Sequence, residues 1–170
     1  MQHIYILSSL LLSVLLLSCE SKTQQKSSSS PTSTVGRVKF YPKHHFKDYS
    51  VQVSPLSNAS GKKLSFTGNT SRHKTLITEG AKQSINFAGH YRIVEWGEGT
   101  GVGRFAVVDY QSGKVYEGLP FGPCGLTYQV DSRLLIIDLH ELDENGEYPS
   151  DIICSPKIYI WTSNQWKRVE

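Results

Sequence analysis

The sequence predicts a mainly β domain, an antiparallel sandwich or a barrel-like meander of about eight or nine short strands with at most one short helix. Short segments rich in β-branched and aromatic residues recur along the chain, with turn signals about every 8–12 residues. Continuous apolar runs such as Leu134–Ile137 indicate strands that are covered on both faces. No long segment has the period of an amphipathic helix, so no helical fold competes with this prediction.

The N-terminus is typical of an export signal. Residues 4–17 are almost wholly apolar, and this stretch is shorter than the roughly 20 residues that a membrane-spanning helix needs. It ends in Leu-Leu-Ser-Cys19, which resembles the lipobox of bacterial lipoproteins. The resemblance implies that residues 1–18 are a cleaved signal peptide and that the Cys19 thiol carries a diacylglycerol. Residues 1–3 lack Lys and Arg, so a plain secretory signal with an incidental Cys19 is the alternative.

Residues 19–34 predict a flexible tether that follows the lipid. This stretch is rich in Ser and has no apolar side chain able to bury surface, so it cannot offset the entropy that ordering costs. Glu20, rather than Asp, follows Cys19, and by resemblance to bacterial lipoproteins this implies the outer membrane. Residues 35–170 are long enough to form a single β-rich domain with its own core.

The charge of the chain is unevenly distributed. Residues 20–74 contain ten Lys or Arg and two Asp or Glu, whereas residues 75–170 contain eight and thirteen. This asymmetry indicates either an anionic partner, such as lipid headgroups, or neutralisation of one part by the other in the folded domain. We favour neutralisation, because the basic residues are scattered singly. We do not expect nucleic acid as a partner. We do expect contact with the membrane through the Cys19 lipid.

The N-terminal part of the domain predicts three strands and one helix. Apolar and polar residues alternate over residues 35–41 and again over 49–53, and residues 63–66 are a third candidate strand. A short helix is predicted within residues 75–82, although Gly80 weakens it.

The rest of the domain predicts hairpins. Strands are expected over residues 90–96 and 104–110, and a tight turn at 111–114 leads into residues 115–116. Two further hairpins are predicted from the same alternation of apolar strands and short polar turns: residues 126–130 with 133–138, and residues 157–161 with 166–169.

Glycine occupies every second position from 97 to 103, between two predicted strands. A phosphate-binding loop would need a helix N-terminus after it, and a strand is predicted there instead. We therefore interpret the segment as a bulged hairpin turn that can frame a ligand. The residues singled out for binding at this turn are Trp96, Gly97, Glu98, Gly99, Thr100 and Arg104.

Residues 86–116, which open with Asn-Phe-Ala-Gly-His-Tyr, resemble a family of uncharacterised bacterial secreted proteins. In that family a strand, a glycine-rich turn and an Asp-containing strand precede a Gly-Lys-Val-Tyr turn. The glycine-rich turn there reads Trp-Gly-Cys-Gly-Thr-x-Cys, and the two cysteine positions are Glu98 and Val102 in this chain. The resemblance implies a shared fold and brings no activity with it.

His90 is the histidine that we would examine for catalysis. It lies at the start of a predicted strand, and Glu98 and Asp109 lie on or near the neighbouring strand, so that acidic side chains can converge on it. The alternative is a structural histidine with a hydrogen-bond partner. No residue is assigned a catalytic role on this basis.

Cys124 and Cys154 predict a disulfide bond, because a pair of thiols outside the cytoplasm tends to be oxidised. The alternative is that Cys124 is a nucleophile with His90 or His140 as its base. The neighbouring residues carry no signature of a known cysteine hydrolase.

No metal and no cofactor are expected. The acidic stretch, residues 138–147, imitates an EF-hand loop that starts at Glu141, but Ile152 stands where that loop requires a bidentate Glu. His44 and His45 have no acid or cysteine at ligand spacing, and we interpret them as surface residues.

These observations predict a lipid-anchored envelope protein that is a binding or accessory module, with an unknown envelope protein or a glycan as its partner. One alternative is a small envelope hydrolase that uses His90 with Asp109 or Glu98, or Cys124. Another is a structural scaffold lipoprotein. An enzyme should have a concave pocket with converging titratable groups, and a binding module should have an exposed aromatic or apolar patch.

Overall fold

Short strands dominate the part of the chain that the computed structural model describes, which comprises residues 35–55, 58–59 and 61–170. The predicted signal peptide, the tether and Cys19 lie outside the described residues. The described strands are β1 (Arg37–Lys39), β2 (Ser65–Phe66), β3 (Tyr91–Gly97), β4 (Gly103–Asp109), β5 (Lys114–Glu117), β6 (Leu126–Tyr128), β7 (Leu134–Ile137), β8 (Glu147–Pro149), β9 (Lys157–Thr162) and β10 (Gln165–Arg168). The helices are α1 (Lys74–Gly80) and two 3₁₀-helices, Phe46–Tyr49 and Gly68–His73.

Eight of the described strands form two four-stranded sheets. Sheet I has the order β2-β5-β4-β3, and sheet II has the order β10-β9-β7-β6. The two remaining strands, β1 and β8, pair with each other. All of these pairings are antiparallel except the short one between β2 and β5. The pairing of neighbours along the chain in β3–β4, β6–β7 and β9–β10 follows the predicted hairpins.

The two sheets face each other across a shared core. The residues that meet there are Ile93, Phe105 and Val107 from sheet I and Leu135, Ile137 and Trp161 from sheet II. Two open sheets packed in this way form a sandwich, which is one of the two predicted architectures. The mainly β prediction is confirmed, with ten described strands instead of eight or nine.

Each sheet is also covered on its outer face. In sheet I, Val94 and Val108 pack against Ile77 of α1. In sheet II, Leu134 and its neighbours pack against Phe46 and other residues of the N-terminal segment. Burial on both faces explains why β4 and β7 are continuous apolar runs instead of alternating ones.

Helix α1 confirms the predicted short helix and extends the 3₁₀-helix Gly68–His73 directly. Gly80 fits at its end because a Cβ there would lie 2.7 Å from the Val94 side chain, so the glycine permits close approach of the helix to sheet I. Within the described part of the chain, no helix has the length and apolar character needed to span a bilayer.

Residues 49–53 do not form the predicted strand. The chain makes the 3₁₀-helix Phe46–Tyr49 and then runs on with one isolated antiparallel bridge, between Ser50 and Ser132. Ser132 lies in the turn between β6 and β7, where no row of backbone groups is available to extend the pairing. Alternation of apolar and polar residues was therefore insufficient to predict a strand here.

Strand β8 was not predicted, because it follows an acidic stretch without strand character. It pairs with β1, with Tyr148 opposite Val38. The Asp143 carboxylate organises the preceding turn: it accepts hydrogen bonds from the backbone N–H groups of Glu147 and Asn145, each at 2.9 Å. These hydrogen bonds, with that from Glu147 having the largest effect, hold the pKa of Asp143 below its usual value, and the nearby Arg37 guanidinium contributes less. The acidic stretch therefore serves as a structured turn.

A disulfide bond joins Cys124 and Cys154, whose Cα atoms are 6.1 Å apart, and the predicted pairing is confirmed. It connects the segment before β6 to the segment before β9. A loop of this length stabilises a fold by about 3.5 kcal/mol in the chain-entropy model. A sulfur in this bond offers no thiolate, so the structure gives no support to Cys124 as a nucleophile.

Candidate functional site

The hairpin of β3 and β4 ends in the glycine-rich turn that the sequence singled out. The Glu98 N–H donates to the Val102 carbonyl at 2.9 Å, and the Val102 N–H donates to the Gly99 carbonyl at 3.1 Å. Thr100 has a φ of +52° between two glycines that also have positive φ, so three consecutive residues are left-handed. This geometry is the hairpin turn that the glycine spacing predicts, and β4, not a helix, follows it.

A polar cleft lies beside this turn, where the 3₁₀-helix Gly68–His73 packs against the end of sheet I. It has a volume of about 150 Å³. The residues that define the polar cleft are Asn69, Arg72, His73, Trp96, Glu98, Arg104 and Glu117. Three neighbouring strands and one helix thus contribute polar side chains to a single concave surface around one tryptophan.

Contacts within the polar cleft hold its side chains in place. The rings of Trp96 and His73 lie 4.5 Å apart between centroids, tilted by 31°. The Glu98 carboxylate pairs with the Arg104 guanidinium at 3.1 Å, and both side chains are more than a third exposed. On the other side, the Asn69 amide donates to the Glu117 carboxylate at 3.0 Å. The indole N–H of Trp96 is buried and has no hydrogen-bond partner among the described residues, so other atoms of the side chain line the cleft.

A second hollow, the edge groove, lies beside the same turn at the free edge of β3. It has a volume of about 450 Å³. We define the edge groove by Gly97, Gly99, Thr100, Val102, Phe121 and Pro123, and Trp96 lines it as well as the polar cleft. Its lining is mostly apolar, and Val102 is 40% exposed.

The structure brings all six residues singled out for binding to this end of the hairpin. Glu98 and Arg104 belong to the polar cleft. Gly97, Gly99 and Thr100 belong to the edge groove. The turn therefore separates a polar hollow from an apolar one.

His90 lies at the opposite end of β3 from Glu98, roughly 26 Å away along the strand, so these two residues are not brought together. His90 does approach Asp109, with 3.7 Å between Nε2 and Oδ1. The Asp109 carboxylate also accepts hydrogen bonds from the backbone of Gln111 and the hydroxyl of Ser112. Asp109 thus organises the turn between β4 and β5.

His90 packs beside Tyr91, which belongs to an aromatic cluster with Trp161 and Tyr116. The His90 and Tyr91 rings are 4.1 Å apart between centroids, and Tyr91 and Tyr116 both pack edge-on against Trp161. Burial is the main cause of the raised pKa of Tyr116, and the negative charge of Asp109 adds to it. Burial is also the main cause of the raised pKa of Tyr91. Neutral phenols at this position suit a packed structural cluster.

Four cleft residues were missed at the sequence level: Asn69, Arg72, His73 and Glu117. Three of them belong to a 3₁₀-helix that no periodicity predicts, and Glu117 lies one residue beyond the predicted strand. The basic triplet from Arg72 to Lys74 is a signal that could have drawn attention to this helix. Among the described residues, no group of three or more His, Cys, Asp or Glu side chains is arranged to hold a metal ion.

Comparison with known proteins gives no relative: no family model, no curated protein and no solved structure matches this chain.

Proposed function

We propose that this chain is a lipid-anchored binding module of the bacterial envelope and that its polar cleft holds a saccharide of that envelope. The observation that carries the proposal is Trp96, whose ring lies in a cleft among a carboxamide, two carboxylates and two guanidinium groups. An aromatic surface framed by a few placed polar groups is the usual composition of a small-ligand site.

The chemistry of the polar cleft suits a saccharide. Each sugar hydroxyl both donates and accepts hydrogen bonds, and the cleft offers acceptors on Glu98 and Glu117 and donors on Arg104. The Trp96 ring is stacked with His73, and the part of it that lines the cleft would contact the C–H groups of a sugar. Its volume of about 150 Å³ is below the ~300 Å³ of typical ligand pockets, so one sugar unit of a longer chain would enter it.

Binding is a better explanation of this cleft than hydrolysis. A general acid needs a carboxyl group kept protonated, usually in an apolar pocket. Here Glu98 is paired with Arg104, and Glu117 accepts a hydrogen bond from Asn69. The hydrolase alternative based on His90 and Asp109 lies at the far end of β3 and involves an aspartate that organises a turn. A structural scaffold has no need of the polar cleft.

The location of the module is proposed from the sequence. The apolar residues 4–17 and the Leu-Leu-Ser-Cys19 segment support a lipid on Cys19, and Glu20 supports the outer membrane. Residues 20–34 would then be the tether through which the domain reaches envelope glycans.

Isothermal titration of the full lipoprotein in detergent tests the saccharide proposal, with soluble peptidoglycan fragments released by a muramidase as the probe. We expect saturable binding that Trp96→Ala weakens roughly tenfold or more, because the aromatic contact is lost. Glu117→Gln, which removes one charge but keeps an acceptor for Asn69, should weaken binding less.

Tyr41→Ala is the matched control, because Tyr41 is a 73% exposed aromatic residue outside the polar cleft. Its affinity should equal that of the unaltered chain. Equal affinity for Trp96→Ala and the unaltered chain, or no binding at all, would contradict the proposal.

A further inference from the structure

The outer edge of β3 is already paired by groups that behave as a neighbouring strand. In the register with β4, the N–H and C=O groups of Tyr91, Ile93, Glu95 and Gly97 point away from the sheet. Tyr91 exchanges hydrogen bonds with the Phe87 backbone. At Ile93 the side-chain amide of Asn86 accepts from the N–H at 2.7 Å and donates to the C=O at 3.1 Å, as a peptide group would.

This pairing stops at Ile93. Among the described residues, no hydrogen bond reaches the outward backbone groups of Glu95 and Gly97. The Glu95 side chain accepts a hydrogen bond from the Tyr128 hydroxyl at 2.8 Å and so leaves its own backbone uncovered. Proteins commonly protect free strand edges, and here only the first part of the edge is protected, so the backbone of Glu95 and Gly97 is available to a partner strand.

Gly97 has no role within the fold that requires a glycine. Its φ lies outside the left-handed region, and a Cβ built on it would meet no atom within 4 Å. A glycine weakens a strand, and inside one it often marks the close approach of another backbone. Gly103, opposite it, differs in this respect, because a Cβ there would collide with the Phe121 ring.

The edge groove supplies the second requirement of strand recognition, a pocket for a side chain. Val102, Phe121 and Pro123 give it an apolar lining directly beside the open edge. In strand addition, backbone hydrogen bonds supply affinity and pockets for alternate side chains supply specificity.

We propose that residues 95–97 bind an extended peptide segment of a partner protein, which adds to β3 as an outer strand and places an apolar side chain in the edge groove. The four free backbone groups of Glu95 and Gly97 match the spacing of an extended chain, and the Asn86 amide shows the same pairing two residues earlier. A saccharide does not carry this alternation of donors and acceptors. Trp96 lines both hollows, but the two proposals use different groups: the peptide pairs with the backbone of Glu95 and Gly97, and the saccharide contacts the side chains of the polar cleft.

A phage-displayed library of random linear peptides, selected on the full lipoprotein in detergent, tests the proposal. We expect peptides whose affinity falls tenfold or more with Gly97→Val, because the new side chain projects into the edge groove, where the apolar side chain of the peptide would sit. The fold should tolerate Gly97→Val, since a Cβ meets open space there. Hydrogen exchange of the Glu95 and Gly97 amides should slow when such a peptide binds.

Lys167→Val is the matched control, because it places the same residue on β10, the edge strand of sheet II. It should leave peptide affinity unchanged. If Gly97→Val does not fold, Val102→Lys, at an exposed side chain of the edge groove, replaces it.

Four results would overturn the proposal. Three concern peptides: no peptide is selected, peptides bind Gly97→Val as tightly as the unaltered chain, or hydrogen exchange is slowed at β10 instead of β3. The fourth is self-association of the unaltered chain, measured by light scattering, that Gly97→Val abolishes. That result would assign the open edge to a second copy of this chain.

Discussion

Gly89 occupies a position that only a glycine fits without strain. Its φ is +81°, and a Cβ there would lie 2.5 Å from the carbonyl oxygen of Gln52. Its N–H donates to the Val130 carbonyl and its C=O accepts from the Ser54 N–H, each at 2.7 Å. Gly89 therefore fixes the start of β3 against the β6–β7 turn and the N-terminal segment.

Gly89→Ala should destabilise the protein by about 2–3 kcal/mol, because it adds a steric clash to an unfavourable backbone conformation. Chemical denaturation followed by tryptophan fluorescence measures the loss. Gly125→Ala is the control: its φ of +71° is equally unfavourable, but a Cβ there meets open space, so only about 1 kcal/mol should be lost. Equal losses for the two variants would show that contact with Gln52 does not matter.

Residue type alone was a poor guide to residue role. Asp109 was a candidate catalytic partner of His90, and its carboxylate proves to organise a turn. The sequence indicates Trp96 as a binding residue only through its position beside the glycines. In the structure its side chain lines both the polar cleft and the edge groove. The difference depends on which neighbours the fold supplies, and a single sequence does not contain that information.

At the scale of elements, local pairing was predictable and distant pairing was not. The β3–β4 hairpin could be predicted because its strands and its turn are consecutive in the chain. The pairing of β1 with β8 joins segments about a hundred residues apart, and no local pattern in the acidic stretch indicates it. Residues 49–53 alternate as a strand does, yet they meet a turn and not a strand edge.

In the candidate site, too, the part formed by residues close in sequence was predictable and the part formed by distant residues was not. Its hairpin half, with Trp96, Glu98 and Arg104, followed from the glycine spacing. Its other half comes from the 3₁₀-helix Gly68–His73, which reaches the cleft only through packing against sheet I. Sequence reasoning therefore identified the turn but not the cleft that the turn closes.

At the scale of the whole molecule, we propose that a folded binding domain is attached to a lipid. Both sheets of the domain are buried on two faces, and the disulfide ties sheet II to itself. These features stabilise the fold, and the disulfide suits the oxidising compartment that we propose for the domain. The lipid would keep its binding surfaces close to envelope partners.

Cys19→Ala should abolish lipidation, because the thiol is the proposed acceptor of the diacylglycerol. Metabolic labelling with a radioactive fatty acid, followed by fractionation of the envelope, measures this directly. Ser18→Gly is the control, since it keeps a small residue before Cys19 and should still be labelled. Labelling of Cys19→Ala equal to that of the unaltered chain would contradict the anchor.

The central claim is that a saccharide binds in the polar cleft against Trp96. The most direct test follows the three tryptophan indole N–H resonances of the full chain by NMR during titration with muramidase-released peptidoglycan fragments. The account predicts that the Trp96 resonance shifts, while those of Trp161 and Trp166, which pack with the sandwich core, stay in place. A spectrum in which no resonance moves, or in which Trp161 or Trp166 moves and Trp96 does not, would contradict it.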